Sequence, residues 1–355
     1  MKVLHLQPQL NLTCGITRTI YLIMRKLNGE FNQFVFTFGG DAVSKFQKNN
    51  LNVIIAQKKY SGVVNFLLII IKLFKIIRAN EIQIVHSHHR YFDLAAYIIS
   101  KFVPIKTITS VQSKVNDKKL FSYKADILIS CSRNIKEHLI ENYGIKADRI
   151  KVVYNCVDTA EIKIDIEPNL LKKSLGINDQ DTILGFIGRI DIVEKGVDLL
   201  LNSFKELNRQ RNNLFLLLIG DGKDKEVIQR QINEERLKCK IIEAQENIFN
   251  YYSIIDIIIL PSRVDPFPLV MLEAGIMRKA FIGSEVDGIK ELIEDKKTGI
   301  LFQPSNSNSL ADAIRLILSD SELRDKIQNN LFERIHNEFT AEKILPLYKN
   351  IYLNL

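Results

Sequence analysis

The chain has 355 residues, 46% hydrophobic and 25% charged, an ordinary globular composition with enough apolar material for two cores. A net charge of +8 favours anionic partners such as phosphates or an acidic membrane face. The basic residues are not gathered into basic–aromatic patches, which argues against nucleic acid as a partner. Cys14, Cys131, Cys156 and Cys239 are scattered and form no CxxC pair, so neither a disulfide frame nor a zinc site is expected.

The opening MKVLHLQPQL has no long apolar core, so no signal peptide is expected. In chain order, strands are predicted at KVLHLQ, FVFTFG, NVIIA, IQIVHS, KTITSV, ADILISC and IKVVYN, with helical patterns between them such as TRTIYLIMRKLN and YFDLAAYIISKF. This alternation argues for a parallel sheet with helices on both faces. It stops near Asn155, where an irregular acidic stretch with a proline marks a boundary. A second series follows: TILGFIG, NLFLLLIG, CKIIEA, DIIILPS, KAFIGS and GILFQ, with GVDLLLNSFKELNRQ and SLADAIRLILSD as helices. The expected organisation is two doubly wound α/β domains, residues 1–160 and 161–335, facing a central cleft. The tail 336–355 is expected to return as a helix to the first domain. Ligands of such sheets bind at the carboxyl ends of the strands.

One helical stretch is unusually apolar. Val63–Ile71 reads VVNFLLIII, and Lys72, Lys75 and Arg78 follow along the same helix. It is too short for a membrane span, which needs about 20 apolar residues. Two readings stay open and are compatible: a core helix with a basic wet edge, or a helix lying on an anionic membrane.

The candidate chemistry sits at predicted strand ends. After TILGFIG comes GRIDIVEKG, placing Arg189 and Lys195 just before a helix; two cations beside free helix amides make an anion site. Gly222, in IGDGKD, allows the backbone to approach a ligand closely and is expected to line the donor site. After DIIIL comes PSRVDPFPLVMLEAG, with seven residues between Asp265 and Glu273. The helix opening near Leu269 and Val270 offers amides to a phosphate. Glu273, one turn in, can accept two ribose hydroxyls, and Asp265 can reach another hydroxyl-rich group. Two carboxylates around a phosphate site suit a nucleotide sugar.

These motifs, with IVHSHHR, DILISCSRNI, VVYNCVD, VDGIKELIEDKKTG and a closing YKNIY, resemble retaining glycosyltransferase family 4 along nearly the whole chain, in order and spacing. The resemblance implies the GT-B fold and a Glu-x7-Glu signature, here Asp265 to Glu273. It implies that Arg189 and Lys195 bind the donor diphosphate and stabilise the leaving nucleotide. Glu273 would bind ribose, while Asp265 and the backbone from Phe267 through Leu269 to Val270 would contact sugar and phosphate. Gly15, in TCGITRT, would lie near the phosphates with Arg18 close by; His88 matches the family's active-site histidine; and Glu291 would line the donor site. The implied reaction moves a sugar from a UDP- or GDP-sugar to a glycan or lipid-linked acceptor in bacterial surface polysaccharide biosynthesis. It would occur in the cytoplasm, with peripheral contact to the inner face of the plasma membrane, and require neither metal nor cofactor. A non-catalytic nucleotide-sugar binding protein and a nucleotide-sugar epimerase of the same fold are the alternatives.

The chain departs from the family pattern in four places. Asn155-Cys156-Val157-Asp158 stands where the family has Asn-Gly-Val-Asp. The first acid is Asp265, one methylene shorter than Glu. The glycine pair of the N-terminal loop is reduced to Gly15 preceded by Cys14. Gln112 stands where the family has a second histidine. Other classes fit worse. A dinucleotide oxidoreductase needs G-x-G-x-x-G after the first strand, and QPQLNLTCGITRT has one glycine. A metallohydrolase HxHxDH is broken by Arg90 and Tyr91. The Asp179-Gln180-Asp181 sequence lies in a polar stretch and reads as a turn.

Overall fold

The computed structural model describes residues 1–56, 62–115 and 119–355. The chain divides into two compact units, Met1–Asn155 with Glu342–Leu355, and Cys156–Ala341. The break therefore falls five residues before the expected 160/161. The expected tail is divided, with 336–341 staying in the second unit.

In the first unit, β1 (Lys2–Leu6), β2 (Asn32–Thr37), β3 (Asn52–Ile55), β4 (Ile84–Ser87), β5 (Lys106–Val111), β6 (Ile127–Ser130) and β7 (Ile150–Val152) form a seven-stranded sheet of order β3-β2-β1-β4-β5-β6-β7. Every pairing is parallel. Leu4, Leu6 and Phe36 point to one face, where they meet Ile69, Leu73 and Ile77 of the helix Gly62–Ala79 and Phe92 of the helix Arg90–Ser100. Val35 points to the other, against Ile20, Tyr21 and Met24 of the helix Gly15–Lys26. This two-sided burial explains why the strands read as nearly unbroken apolar runs. Each such fully buried side chain stabilises the fold by roughly 1.5–3 kcal/mol.

The second unit repeats the plan. β8 (Thr182–Ile187), β9 (Leu214–Ile219), β10 (Cys239–Ile242), β11 (Ile257–Leu260), β12 (Ala280–Ser284) and β13 (Ile300–Phe302) form a six-stranded parallel sheet of order β10-β9-β8-β11-β12-β13. The order reverses between β1 and β4 in one sheet and between β8 and β11 in the other. These are the switch points at which α/β sheets bind ligands.

Two features at the chain's periphery bear on function. The helix Ala341–Leu353 belongs to the first unit for nearly all its length, and its Tyr348 and Tyr352 are buried there. The helix Gly62–Ala79 buries only Ile69, Leu73 and Ile77, leaving Val63, Val64, Leu67, Leu68 and Ile71 exposed. No helix among the described residues is long and apolar enough to cross a membrane. Asp179-Gln180-Asp181 is a turn, in which Asp181 accepts from the Asn178 N–H at 3.0 Å and pairs with Lys238 at 2.5 Å.

Candidate active site

Two loops of the second unit, one after β8 and one after β11, lock together at the switch point. After β8, Asp191 caps a one-turn helix, Ile192–Lys195, by accepting from the Glu194 N–H at 2.8 Å. Burial works to raise the Asp191 pKa, but the Glu194 bond and the Lys223 ammonium at 3.1 Å outweigh it and hold the carboxyl below its ordinary range. After β11, Arg263 forks onto both Asp198 oxygens at 2.9 and 2.8 Å and donates to the Ile192 carbonyl. Its own backbone N–H donates to the Glu194 carbonyl at 2.8 Å. Arg263 thereby ties the Lys195 loop to the loop that carries Asp265.

With the loops so placed, the Lys195 ammonium lies 2.5 Å from the Asp265 carboxylate, with side chains only 18% and 6% exposed. Asp265 also accepts from the Ser262 hydroxyl at 3.1 Å, and its N–H donates to Asp287 at 3.1 Å. Gly288 completes the arrangement: its N–H donates to the Asp265 carbonyl at 3.1 Å, and a Cβ there would lie 1.8 Å from the Pro266 carbonyl oxygen. A side chain at 288 would push the acid-bearing loop away. Glu291 follows in the short helix Ile289–Leu292 and is half-buried.

Arg189, on the same loop as Lys195, is held by acids of that loop and not by Asp265. Half exposed, it pairs with Glu194 and lies 3.9 Å from Asp191. Exposed pairs of this kind are weak, so the guanidinium can be redirected to an anion at small cost. Gly222 has a packing role: a Cβ there would lie 2.2 Å from the Ile190 carbonyl oxygen, and the Ile190 N–H donates to the Asp221 carbonyl at 3.0 Å. The glycine lets the loops after β8 and β9 touch.

The helix Leu269–Ile276 begins after Pro268, with no side chain capping it. Leu269 and Val270 are half-buried, and the Phe267 side chain is turned inward, its ring centroid 5.7 Å from that of Phe339. Glu273 is 1% exposed and accepts from the Tyr252 hydroxyl at 2.9 Å. That bond holds one carboxylate oxygen in place, while the paired Lys195, the uncapped amides and Arg189 bring positive character to the same switch point.

The first unit carries its candidates at the β1/β4 switch point. Gly15 opens the helix after β1, and no side chain caps that helix at Cys14. His88 follows β4, and its N–H donates to the Leu6 carbonyl at 2.9 Å. Its ring belongs to a buried cluster with His5 and His86. Burial pushes the His5 pKa down to about 4 against the Gln33 bond, and burial, with repulsion from neighbouring imidazoles, holds His86 and His88 well below the ordinary value. The rings are neutral at pH 7. Gln112 follows β5 and is half-buried.

The family model described as "Glycosyltransferase Family 4" matches residues 13–161, and "Glycosyl transferases group 1" matches residues 169–334. The chain belongs to glycosyltransferase family 4. Among its relatives, an uncharacterised glycosyltransferase of Methanocaldococcus jannaschii, MJ1607, is 25% identical over 240 residues, covering 66% of this chain and 61% of its own length. A lipopolysaccharide 1,2-N-acetylglucosaminetransferase of Salmonella typhimurium is 29% identical over 226 residues, covering 58% of each protein. The chain thus spans about three fifths of these two relatives. Among solved structures, Anabaena HepE, crystallised with UDP and glucose, superposes with a TM-score of 0.88 at 18% identity, covering 100% of both chains. The fold is GT-B.

In this family member, sequence reasoning missed Arg263, Tyr252, His5 and Gln33. Arg263 lies two residues before Asp265 and could have been noticed as a cation in an acid-bearing loop. The other three act through neighbours distant in sequence, for which no local signal exists.

Proposed function

We propose that the chain is a retaining glycosyltransferase that moves a sugar from a UDP- or GDP-sugar onto a glycan or lipid-linked acceptor in bacterial surface polysaccharide assembly. The observation that carries this reading is the β8/β11 switch point, where the Lys195–Asp265 pair is followed along the chain by the uncapped start of Leu269–Ile276 and by buried Glu273. Lys195, Arg189 and the amides of Leu269 and Val270 hold the diphosphate, Glu273 accepts the ribose hydroxyls, and Asp265 and Glu291 face the sugar. HepE's complex with UDP supports a uridine donor, and the Salmonella relative's name supports the polysaccharide setting.

In the transfer, the bond between the anomeric carbon and the β-phosphate oxygen breaks, and its electron pair stays on the diphosphate. Lys195 and Arg189 stabilise that charge as it develops. The acceptor hydroxyl oxygen bonds to the anomeric carbon on the face the diphosphate leaves, and its proton passes to a diphosphate oxygen. This front-face route needs no protein nucleophile. The first unit holds the acceptor and the second the donor. The exposed apolar stripe Val63, Val64, Leu67, Leu68 and Ile71, followed by exposed Lys75 and Arg78, suits peripheral contact with the anionic inner face of the plasma membrane.

A thermal-shift panel of UDP, GDP, ADP, CMP, their sugars and NAD tests the donor site, because a ligand of the folded state raises its stability. Stabilisation by one nucleoside diphosphate is expected. Glu273→Ala removes a buried acceptor together with the bond it takes from the Tyr252 hydroxyl, so affinity should fall about 100-fold. Undiminished binding in that variant would overturn the assignment.

A further inference from the structure

The histidine cluster of the first unit contains a chain of hydrogen bonds whose direction can be worked out. Gln33 is 1% exposed, and its amide nitrogen lies 3.2 Å from the Met24 carbonyl oxygen and 3.4 Å from that of Ile23, in the last turns of Gly15–Lys26. Only the NH2 group can donate to those carbonyls, so the amide cannot be flipped and Oε1 faces His5. His5 Nε2 lies 3.0 Å from that oxygen and must carry the proton. His5 Nδ1 is then a bare lone pair, 3.1 Å from His88 Nε2, so His88 must donate from Nε2. The remaining nitrogen, His88 Nδ1, is therefore an acceptor. It is buried, in a residue 3% exposed, with no hydrogen-bond partner among the described residues.

His86 closes the other side. Its ring stacks on His88 with centroids 4.2 Å apart, while its nitrogens are engaged by Tyr352 OH at 2.7 Å and Ser110 Oγ at 2.8 Å. The three histidines have nitrogens within 4.8 Å of one another, a spacing a metal ion could bridge. Hydrogen bonds already engage both nitrogens of His5 and His86 and Nε2 of His88. A metal taking His88 Nε2 would move its proton to Nδ1, a buried position without an acceptor. The hydrogen-bonded arrangement satisfies more of the polar atoms.

We propose that Gln33 and His5 are positioning residues that lock His88 in the Nε2–H tautomer, so that Nδ1 accepts a hydrogen bond from a sugar hydroxyl. The carbonyls that end the first helix thus decide, through two side chains, which ring nitrogen of His88 meets substrate. A protonated Nδ1 would point a donor at that hydroxyl and require it to accept instead. The identity of the ligand as a sugar rests on the transferase reading; the tautomer itself does not.

The test is a two-bond 1H–15N correlation spectrum of the full-length protein labelled with 15N-histidine, at pH 7.5, beside Gln33→Met, which keeps the side chain's length and removes both ends of its amide. Wild type should show His5 and His88 as Nε2–H tautomers, and Gln33→Met should show His88 redistributed toward Nδ1–H. Turnover of the donor found in the thermal-shift panel should fall about tenfold, with nucleoside-diphosphate affinity unchanged. His88 as Nδ1–H or imidazolium in wild type would overturn the proposal. So would a folded Gln33→Met protein whose His88 signal is unmoved; the wild-type spectrum remains decisive if that variant does not fold. Failure of wild type to bind any nucleoside diphosphate would instead strike the transferase reading and leave the tautomer result intact.

Discussion

The two switch points are built from opposite materials. At β8/β11 the chain assembles charges: Lys195 on Asp265, Arg263 on Asp198, Lys223 on Asp191, and a buried carboxylate at Glu273. At β1/β4 it assembles neutral rings whose burial suppresses charge. One sheet plan thus carries two kinds of strand-end chemistry, one charged and one neutral, which under the proposed function would suit an anion and uncharged hydroxyls respectively. Side chains grafted at the strand ends make the difference, and the sheets do not.

The largest expected effect strikes the charged side. Lys195→Ala leaves the Asp265 carboxylate, 4% exposed, without its ammonium. Breaking a largely buried pair in this way costs about 3–5 kcal/mol, visible as a lower urea midpoint. A loss below 1 kcal/mol would mean that water already screens the pair.

The second effect strikes the neutral side and depends on pH. His5 takes its proton at about 4 in the folded protein and at 6.5 when unfolded. Between those values the unfolded chain binds more protons, so stability is full above about pH 6.5 and is lost as pH falls toward 4. For His5 alone the difference amounts to roughly 3 kcal/mol, and His86 and His88 act in the same direction. Urea midpoints measured from pH 7 to 4.5 should fall, and His5→Phe should flatten the slope. An equal slope in that variant would show that the cluster is not the acid-sensitive element.

The smallest effect sharpens the charged side. Arg263→Lys keeps the charge and loses the fork onto Asp198, which should cost about 1 kcal/mol. Donor KM should rise severalfold because Lys195 is held less firmly. An unchanged KM would show that the Arg263 tie is dispensable for the Lys195 loop.

The fold was legible because parallel strands buried on both faces leave apolar runs that turns interrupt. The thirteen strands among the described residues lie where apolar runs predicted them, and Asp265 and Glu273 stood out because they bracket a helix start at the end of one such run. What stayed hidden depended on sheet order. Arg263 meets Asp198 65 residues away only because β11 lies beside β8. His5 meets Gln33 and His88 across 28 and 83 residues only because β1 lies between β2 and β4. The one-turn helix Ile192–Lys195 is too short for a periodic signal and read as loop. Gly222 was expected to admit a ligand to the backbone, and what it visibly admits is the Ile190 carbonyl of the neighbouring loop.

The most direct test of this division of labour is isothermal titration of the nucleoside diphosphate into wild type, Lys195→Ala and Gln33→Met, each as the full chain. The account predicts that Lys195→Ala loses at least tenfold in affinity, while Gln33→Met binds as wild type does. Equal losses in both variants, or a loss confined to Gln33→Met, would contradict it.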